Sequence, residues 1–315
     1  MKIYLLIIIA IAMQLTVRAQ QDPMFSQNMY NHMTVNPGFA GMRGNWVISG
    51  IYRNQWQKMD DAPETYALNI DVPFRVKQTN NGVAVGLMSE NLGMLKHMQV
   101  MLNYAYKAEL HWGMLNVGAK IGLINTSING TYYIPDMDGS TTPGNDPALG
   151  GTEANVSKSK FDAGIGVFLT GKNFYAGVSL SHLTKPKVKI GEYGEFFWKQ
   201  YMTVTGGYSF KLSPVVNVQP SFFFRTDFVT NQYILNANFI FKERYWGGLS
   251  YSRENVVSFL AGFELKEGVH VGYSYDWNVS NTGQYLGGSH EITLSYRFGL
   301  SLGKSEKIYK SIRFL

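Results

Sequence analysis

The chain has 315 residues, 45% of them hydrophobic and only 16% charged, with a formal net charge of +6 and no cysteine. The lack of cysteine excludes disulfide bonds, thiolate metal sites and a lipoprotein anchor. The charge falls to +4 if Lys2 and Arg18 are removed with a leader, which is too weak and dispersed to indicate nucleic-acid binding. The charged fraction lies below the usual quarter of a soluble domain, as expected where many strands meet lipid.

An apolar leader opens the chain and has the parts of a secretory signal peptide. Lys2 supplies the positive charge, residues 3–13 the apolar stretch, and Val17-Arg18-Ala19 a cleavage site ahead of Gln20. A retained membrane helix is the alternative, but it needs about 20 apolar residues, and polar side chains interrupt this stretch too early. We therefore predict that residues 1–19 are a signal peptide that is removed.

Residues 20–44 are rich in Asn, Gln, Met and Gly and show no periodicity, so no strand is predicted there. Ahead of a barrel, such a segment would lie below the periplasmic mouth or fold into the lumen as a plug. A disordered leader to the first strand is the alternative. Phe25, Tyr30, Pro37 and Phe39 favour a docked segment, because a disordered one carries few apolar residues. Phe25, Tyr30 and Phe39 are also candidate partner-binding residues.

From residue 45 to residue 300, hydrophobic and polar residues alternate with period two in fourteen runs. Such runs, with 19 Phe, 20 Tyr and 6 Trp, are typical of an all-β, transmembrane antiparallel outer-membrane β-barrel. The predicted strands are residues 45–57, 64–72, 83–87, 97–108, 115–123, 161–169, 174–180, 201–210, 215–224, 233–241, 245–251, 257–265, 269–277 and 290–298.

The connections between these runs support the barrel independently. Outer-membrane barrels have short periplasmic turns and longer external loops. The short connections are residues 109–114, 170–173, 211–214, 242–244 and 266–268, and the long ones are residues 125–160, 181–200 and 278–289. The turn after Val72 is somewhat longer and forms the exception. A soluble β-sandwich, the main alternative, does not require this alternation, which also predicts both termini in the periplasm.

Arg53 lies on the strand face opposite Trp56 and is therefore predicted to face the lumen. A charge inside a barrel is tolerated when it is paired or hydrated. Asp60, Asp61 and Asp71 are its candidate partners. A structural ion pair is favoured over a ligand site.

Ser289-His290-Glu291 suggests a hydrolase, but strand alternation places Ser289 and Glu291 on one face and His290 on the other. The three cannot form one proton relay, so strand entry and lumen hydrogen bonding are predicted instead of catalysis. The stretch Asp136-Met137-Asp138-Gly139 is similar to the start of a calcium loop, yet the later ligands and the closing glutamate are missing. No catalytic residue, cofactor or metal is expected.

Two further regions are candidate partner surfaces. Residues 183–198 combine lysines with Tyr193, Phe196 and Trp198, a mixture that suits a protein interface or an aromatic girdle at the membrane surface. Residues 301–315 form a basic tail that is either solvated or in contact with an acidic periplasmic partner. The candidate residues of the tail are Lys304, Lys307, Lys310 and Arg313.

Seven short motifs follow one another along the mature chain. They are QDPMFSQ (21–27), NMYN (28–31), VNPGFAG (35–41), YRNQW (52–56), APET (62–65), DVPF (71–74) and YLGGSHEI (285–292). Together they resemble the PorP/SprF family of type IX secretion system membrane proteins from Bacteroidetes. Each motif alone is weak, but the ordered set is specific. Residues 303–315 depart from the family pattern, because many relatives end close to the last strand.

The resemblance implies a non-enzymatic outer-membrane barrel that helps the type IX machinery, and gliding motility where present, to export or anchor surface proteins. The partners it implies are lipid, type IX components or secreted surface proteins, and a periplasmic, peptidoglycan-associated protein. A passive porin or small-solute transporter is the alternative function. The lumen distinguishes the two, because a porin of this size needs an open pore, whereas an anchor can be plugged.

Overall fold

The computed structural model describes residues 22–128, 156–190, 194–265, 268–280 and 283–298. Within these ranges the chain forms a closed antiparallel β-barrel of fourteen strands. The strand segments are β1 (Trp46–Asn54), β2 (Glu64–Val76), β3 (Thr79–Leu92), β4 (Leu95–Leu110), β5 (Gly113–Ile128), β6 (Val156–Gly171), β7 (Phe174–Ser181), β8 (Lys187–Ile190), β9 (Gly194–Phe197), β10 (Tyr201–Tyr208), β11 (Phe210–Lys211), β12 (Val216–Thr226), β13 (Asn231–Phe241), β14 (Tyr245–Ser252), β15 (Val256–Glu264), β16 (Val269–Asn278) and β17 (Ser289–Phe298).

The barrel closes where β1 pairs with β17, with Trp46 opposite Phe298 and Asn54 opposite His290. Segments β10 and β11 together make one wall strand, and β8 and β9 form a separate hairpin. The end of the barrel at Trp46 and Phe298 is called the terminal rim below, and the opposite end, at Asn54 and Ser289, the distal rim.

The described residues form four short helical segments beside the barrel strands, and none of these four is long and apolar enough to cross a membrane. They are Asn28–Tyr30, His32–Val35, Pro37–Phe39 and Gly283–Leu286.

The two faces of the wall have inverted polarity. Outward-facing residues are apolar and about half exposed, whereas inward-facing residues are polar and buried. Examples of the outer face are Leu102, Val117, Leu123, Phe239, Leu249 and Leu294. Examples of the inner face are Asn69, Asn103, Asn116, Gln219, Asn238 and Ser274. A soluble sheet has the opposite arrangement, and this one is the pattern of a barrel in lipid.

Each of the fourteen predicted runs coincides with one wall strand, which confirms the predicted fold. The strand bounds differ in places for local reasons. β1 ends at Asn54 instead of residue 57, because Trp56 has a φ of +54° and cannot continue the ladder. β2 runs on to Val76 and turns at Lys77, so the connection after Val72 is short and not an exception.

Pro220 explains why one wall strand is split into β10 and β11. Gly207 pairs with Ser221 and Phe210 with Val218, so Pro220 falls opposite the gap. A proline has no N–H to donate to the ladder. The Ser209 N–H turns the other way and donates to the carbonyl of Asn173, at 2.7 Å.

Candidate functional site

Residues 22–44, called the lumen segment below, lie inside the barrel. Nearly all of them are buried, and Phe39 has no exposed surface. Asn36 Nδ2 donates to the carbonyl of Val167 at 3.0 Å, and Ser179 Oγ donates to the carbonyl of Val35 at 2.9 Å. These hydrogen bonds join the segment to the polar inner wall, and the segment fills the middle of the lumen.

Glycines in the wall make room for the backbone of the lumen segment. A Cβ added at Gly82 would lie 2.0 Å from the carbonyl oxygen of Ala40. One added at Gly118 would lie 2.5 Å from the nitrogen of Gly38. These short distances exclude any larger residue at either position. The two wall glycines therefore allow the backbone of the lumen segment to pack directly against the wall.

The lumen segment crosses the barrel from one end to the other. Asp22 lies at the distal rim, beside Tyr201 at the start of β10, and Arg43 leads into β1 at the terminal rim. The prediction that both termini lie in the periplasm concerns residues that the structure does not describe, and it stays a prediction. The termini themselves lie outside the described ranges, but Asp22 and Phe298 are at opposite rims.

Arg53 joins the wall to the lumen segment through two carboxylates. Its guanidinium contacts Asp276 at 2.7 Å and Glu291 at 3.0 Å, and all three side chains are buried. Ser26 Oγ donates to Asp276 at 2.7 Å, and the backbone N–H groups of Ser26 and Gln27 donate to Glu291 at 2.9 and 2.8 Å. Strands β1, β16 and β17 thus hold the start of the lumen segment in a network of charge-assisted hydrogen bonds.

The predicted lumen orientation of Arg53 agrees with this geometry, but its predicted partners were wrong. Asp60 and Asp61 are exposed beyond the end of β1, and Asp71 accepts a hydrogen bond from the N–H of Gly41 instead. Arg53 lies directly opposite Glu291 in the register of β1 and β17. That contact spans almost the whole chain and exists only because the barrel closes.

Ser289, His290 and Glu291 alternate as the strand pattern predicts. Ser289 and Glu291 are buried on the inner side, and Ser289 Oγ accepts a hydrogen bond from the N–H of Trp56 at 3.3 Å. His290 lies on the other face and contacts the hydroxyl of Tyr273 at 2.7 Å. The three side chains form no relay, and their contacts are structural.

A second ion-pair network at the distal rim holds the beginning of the described chain. His182 lies between two carboxylates, with Nδ1 at 2.7 Å from Asp162 and Nε2 at 3.2 Å from Asp22. The hydroxyl of Tyr201 donates to the Asp22 carboxylate, and Arg225 donates to the Asp22 carbonyl at 3.0 Å. We call these five residues the Asp22 latch.

Electrostatics fixes the protonation of the Asp22 latch. Burial alone would lower the pKa of His182, but Asp22 and Asp162 outweigh it and raise that pKa to about 9. Burial likewise would raise the pKa of Asp22, but His182, Tyr201 and Arg225 hold it well below its usual range. His182 is therefore a cation at neutral pH and serves as a clamp, not as a general base. No spacing in the sequence indicated this cluster.

The aromatic residues of the lumen segment contact the wall, not an outside surface. Tyr30 packs on Trp246 with ring centroids 4.5 Å apart, and Phe39 packs on Phe168 at 5.1 Å. Phe25 is also buried, 5% exposed. These three side chains therefore pack inside the lumen, and their role in binding a partner stays a prediction.

The predicted surface at residues 183–198 is partly turned inward. Phe196 and Trp198 are buried and pack on His97, with centroids 4.7 and 4.9 Å away, so they cover the distal end of the lumen instead of forming a girdle. Tyr193, the Asp136 motif and the tail with Lys304, Lys307, Lys310 and Arg313 lie outside the described residues.

A cavity of about 280 Å³ lies above the lumen segment at the distal rim. It is lined by residues at the distal ends of β1, β3, β4 and β13, by the β9 end of the hairpin, and by Asp22 and Met24 of the lumen segment. We call it the mouth cavity. Among the described residues, no group of three metal-ligating side chains is placed to hold a metal ion.

Comparison with known proteins gives a family and a fold. The model of the family described as type IX secretion system membrane protein PorP/SprF matches residues 17–296. No curated protein sequence matches the chain.

Among solved structures, the CymD monoaromatic hydrocarbon channel is similar at 14% identity and a TM-score of 0.51, covering 86% of this chain and 94% of that one. The TodX deltaS2S3 mutant, also a monoaromatic hydrocarbon channel, gives 12% identity and a TM-score of 0.51, covering 84% and 93%. The toluene transporter TbuX of Ralstonia pickettii gives 12% identity and a TM-score of 0.47, covering 85% and 94%. At such identities, CymD and TodX indicate a shared barrel fold and nothing about cargo.

Proposed function

Because the chain belongs to the PorP/SprF family of type IX secretion system membrane proteins, we propose that it is a non-enzymatic outer-membrane platform of that system. In this role it supports the export or surface anchoring of secreted proteins through protein contacts. The single observation that carries the proposal is the filled lumen. Residues 22–44 occupy it and are fastened to the wall along their whole length.

A filled lumen favours a platform over a passive porin. A porin needs a continuous water-filled path through its lumen. Here the lumen segment forms hydrogen bonds to the inner wall and packs against wall glycines. The likeness to hydrocarbon channels concerns the fold alone. The porin therefore remains the second candidate, and conductance separates the two.

The proposed orientation places the terminal rim in the periplasm and the distal rim outside the cell. Turns at the terminal rim are as short as Lys77-Gln78 and Lys172-Asn173, whereas the three longest connections leave the distal rim. Barrels of this class carry their longer loops outside. A secreted surface protein would then bind at the distal rim. A periplasmic, peptidoglycan-associated protein would bind at the terminal rim, where we place the basic tail.

Crosslinking in the native membrane tests this function. We expect type IX components or a secreted surface protein to co-purify with the chain, and the purified protein to show no large steady conductance in planar bilayers. A variant lacking residues 22–44 is the positive control for conductance. Large conductance of the intact protein, with neither class of partner recovered, would establish the porin instead.

A further inference from the structure

We infer that the mouth cavity receives a cationic side chain, lysine or arginine, of a polypeptide partner. This inference rests on the proposed function and specifies the chemistry of the partner. It starts from Glu90, which lies on β3 and lines the cavity. Its side chain is 5% exposed, yet among the described residues it forms no hydrogen bond or ion pair.

The cations near Glu90 are already engaged elsewhere. Arg53 also lines the cavity, but Asp276 and Glu291 neutralise it. Arg225 acts on Glu90 through space, while its own hydrogen bonds go to the Asp22 carbonyl and to Gln232. Burial without a cation partner disfavours the charged form of the Glu90 carboxyl group, and a ligand that brings a positive charge stabilises that charged form.

A second carboxylate marks the entrance of the cavity. Glu254 is exposed in the turn between β14 and β15 and lines the cavity. It accepts a hydrogen bond from Gln232 at 2.8 Å but has no cation partner among the described residues. An acidic group at the entrance and one at the base attract a cation into the cavity.

The remaining walls suit the stem of a long basic side chain. Met24, Leu92, Leu95 and Phe196 supply apolar surface, and Trp198 supplies an aromatic ring. Lysine and arginine bury their methylene groups against such surfaces, and a cation over an aromatic face gains further stabilisation. A volume of about 280 Å³ holds one or two side chains and is too small for a folded domain.

The test measures binding of two probes to the purified mature protein in nanodiscs. Nα-acetyl-lysine N-methylamide carries the cation, and Nα-acetyl-norleucine N-methylamide carries the same stem without it. Binding is followed by saturation-transfer NMR and by tryptophan fluorescence. We expect the lysine probe to bind, the norleucine probe to bind at least tenfold more weakly, and Glu90→Gln to weaken the lysine probe about tenfold.

Glu109→Gln is the matched control, since Glu109 is exposed at the terminal rim, far from the mouth cavity, and accepts a hydrogen bond from Asn80 at 2.9 Å. It should leave lysine binding unchanged. If Glu90→Gln fails to fold, Leu95→Trp serves instead, because it fills the cavity and leaves Glu90 in place; it should abolish binding of the lysine probe.

Equal binding of both probes, or unchanged lysine binding in Glu90→Gln or Leu95→Trp, would overturn the inference. If the lysine probe fails to bind while secreted proteins still co-purify, the inference fails and the proposed function stands. If the probe binds through Glu90 and no type IX component or surface protein co-purifies, the cation site is supported and the proposed function fails.

Discussion

Arg53 is the residue on which the buried charge balance of the lumen depends. Its guanidinium contacts both Asp276 and Glu291, at 2.7 and 3.0 Å, and Arg53→Met would leave two buried carboxylates side by side. We expect a loss of about 3–5 kcal/mol in the free energy of unfolding, because removing the cation leaves two buried carboxylates with neither a charge partner nor water. Urea unfolding followed by tryptophan fluorescence measures it.

Arg75→Met is the control for that substitution. Arg75 is exposed near the terminal end of β2, and exposed charges contribute little to stability. Equal losses in the two variants would show that the Arg53 network does not stabilise the barrel.

His182 gives the stability of the barrel a defined pH dependence. Its pKa is raised from 6.5 to about 9 in the folded protein, so the stabilisation is complete below pH 6.5 and is lost as pH rises towards 9. A shift of this size corresponds to roughly 3 kcal/mol at most. The free energy of unfolding should therefore fall between pH 6.5 and 9.5 in the natural chain. His182→Gln should be less stable at pH 6.5 and should lose less stability across this range than the natural chain; a parallel decline in both proteins would contradict the clamp.

At the level of elements, strand β3 packs against the lumen segment at Gly82, where the lack of a side chain lets the two backbones come close. Gly82→Ala would bring Cβ to 2.0 Å from the carbonyl oxygen of Ala40, so the segment must shift. We expect a loss of about 1–3 kcal/mol in the free energy of unfolding and a higher conductance in planar bilayers. Gly50→Ala is the control, since its Cβ would meet nothing closer than 3.9 Å. Natural conductance and stability in Gly82→Ala would mean that the segment is not seated on this strand.

The strands were predictable from the sequence because their signal is local. Period-two alternation requires only that one face meet lipid and the other the lumen, and every residue of a run carries part of that information. The end of β1 was not predictable, because the left-handed φ of Trp56 does not change the alternation of hydrophobic and polar residues.

Contacts made by barrel closure and by the lumen segment were not predictable in this way. Arg53 and Glu291 become neighbours only when the first and last strands meet, and Asp22 reaches His182 only after crossing the lumen. Carboxylates close in sequence, such as Asp60 and Asp61, were therefore the wrong partners. The importance of Gly82 and Gly118 was not predictable either, because each packs against a lumen-segment backbone that is distant in sequence.

For the whole molecule, the apolar outer face and the filled lumen together define a wall that is closed on both sides. Lipid meets the outside, and the lumen segment meets the inside, so the described surfaces left for partners are the two rims. The rims are chemically different, because the distal one carries the Asp22 latch, the mouth cavity and the longest connections. Which rim faces the outside thus decides where a secreted protein would bind.

Labelling of single cysteine variants in intact cells decides the orientation. The natural chain has no cysteine, so only the introduced residue reacts. Val229 at the distal rim is 81% exposed, and Leu212 at the terminal rim is 71% exposed, so Val229→Cys and Leu212→Cys form a matched pair. A membrane-impermeant maleimide should label Val229→Cys in intact cells, but Leu212→Cys only after the outer membrane is opened. Met24→Cys should follow Val229→Cys, because Met24 lines the mouth cavity at the distal end of the lumen segment. The reverse pattern would place the mouth cavity in the periplasm and direct the search for its basic partner there.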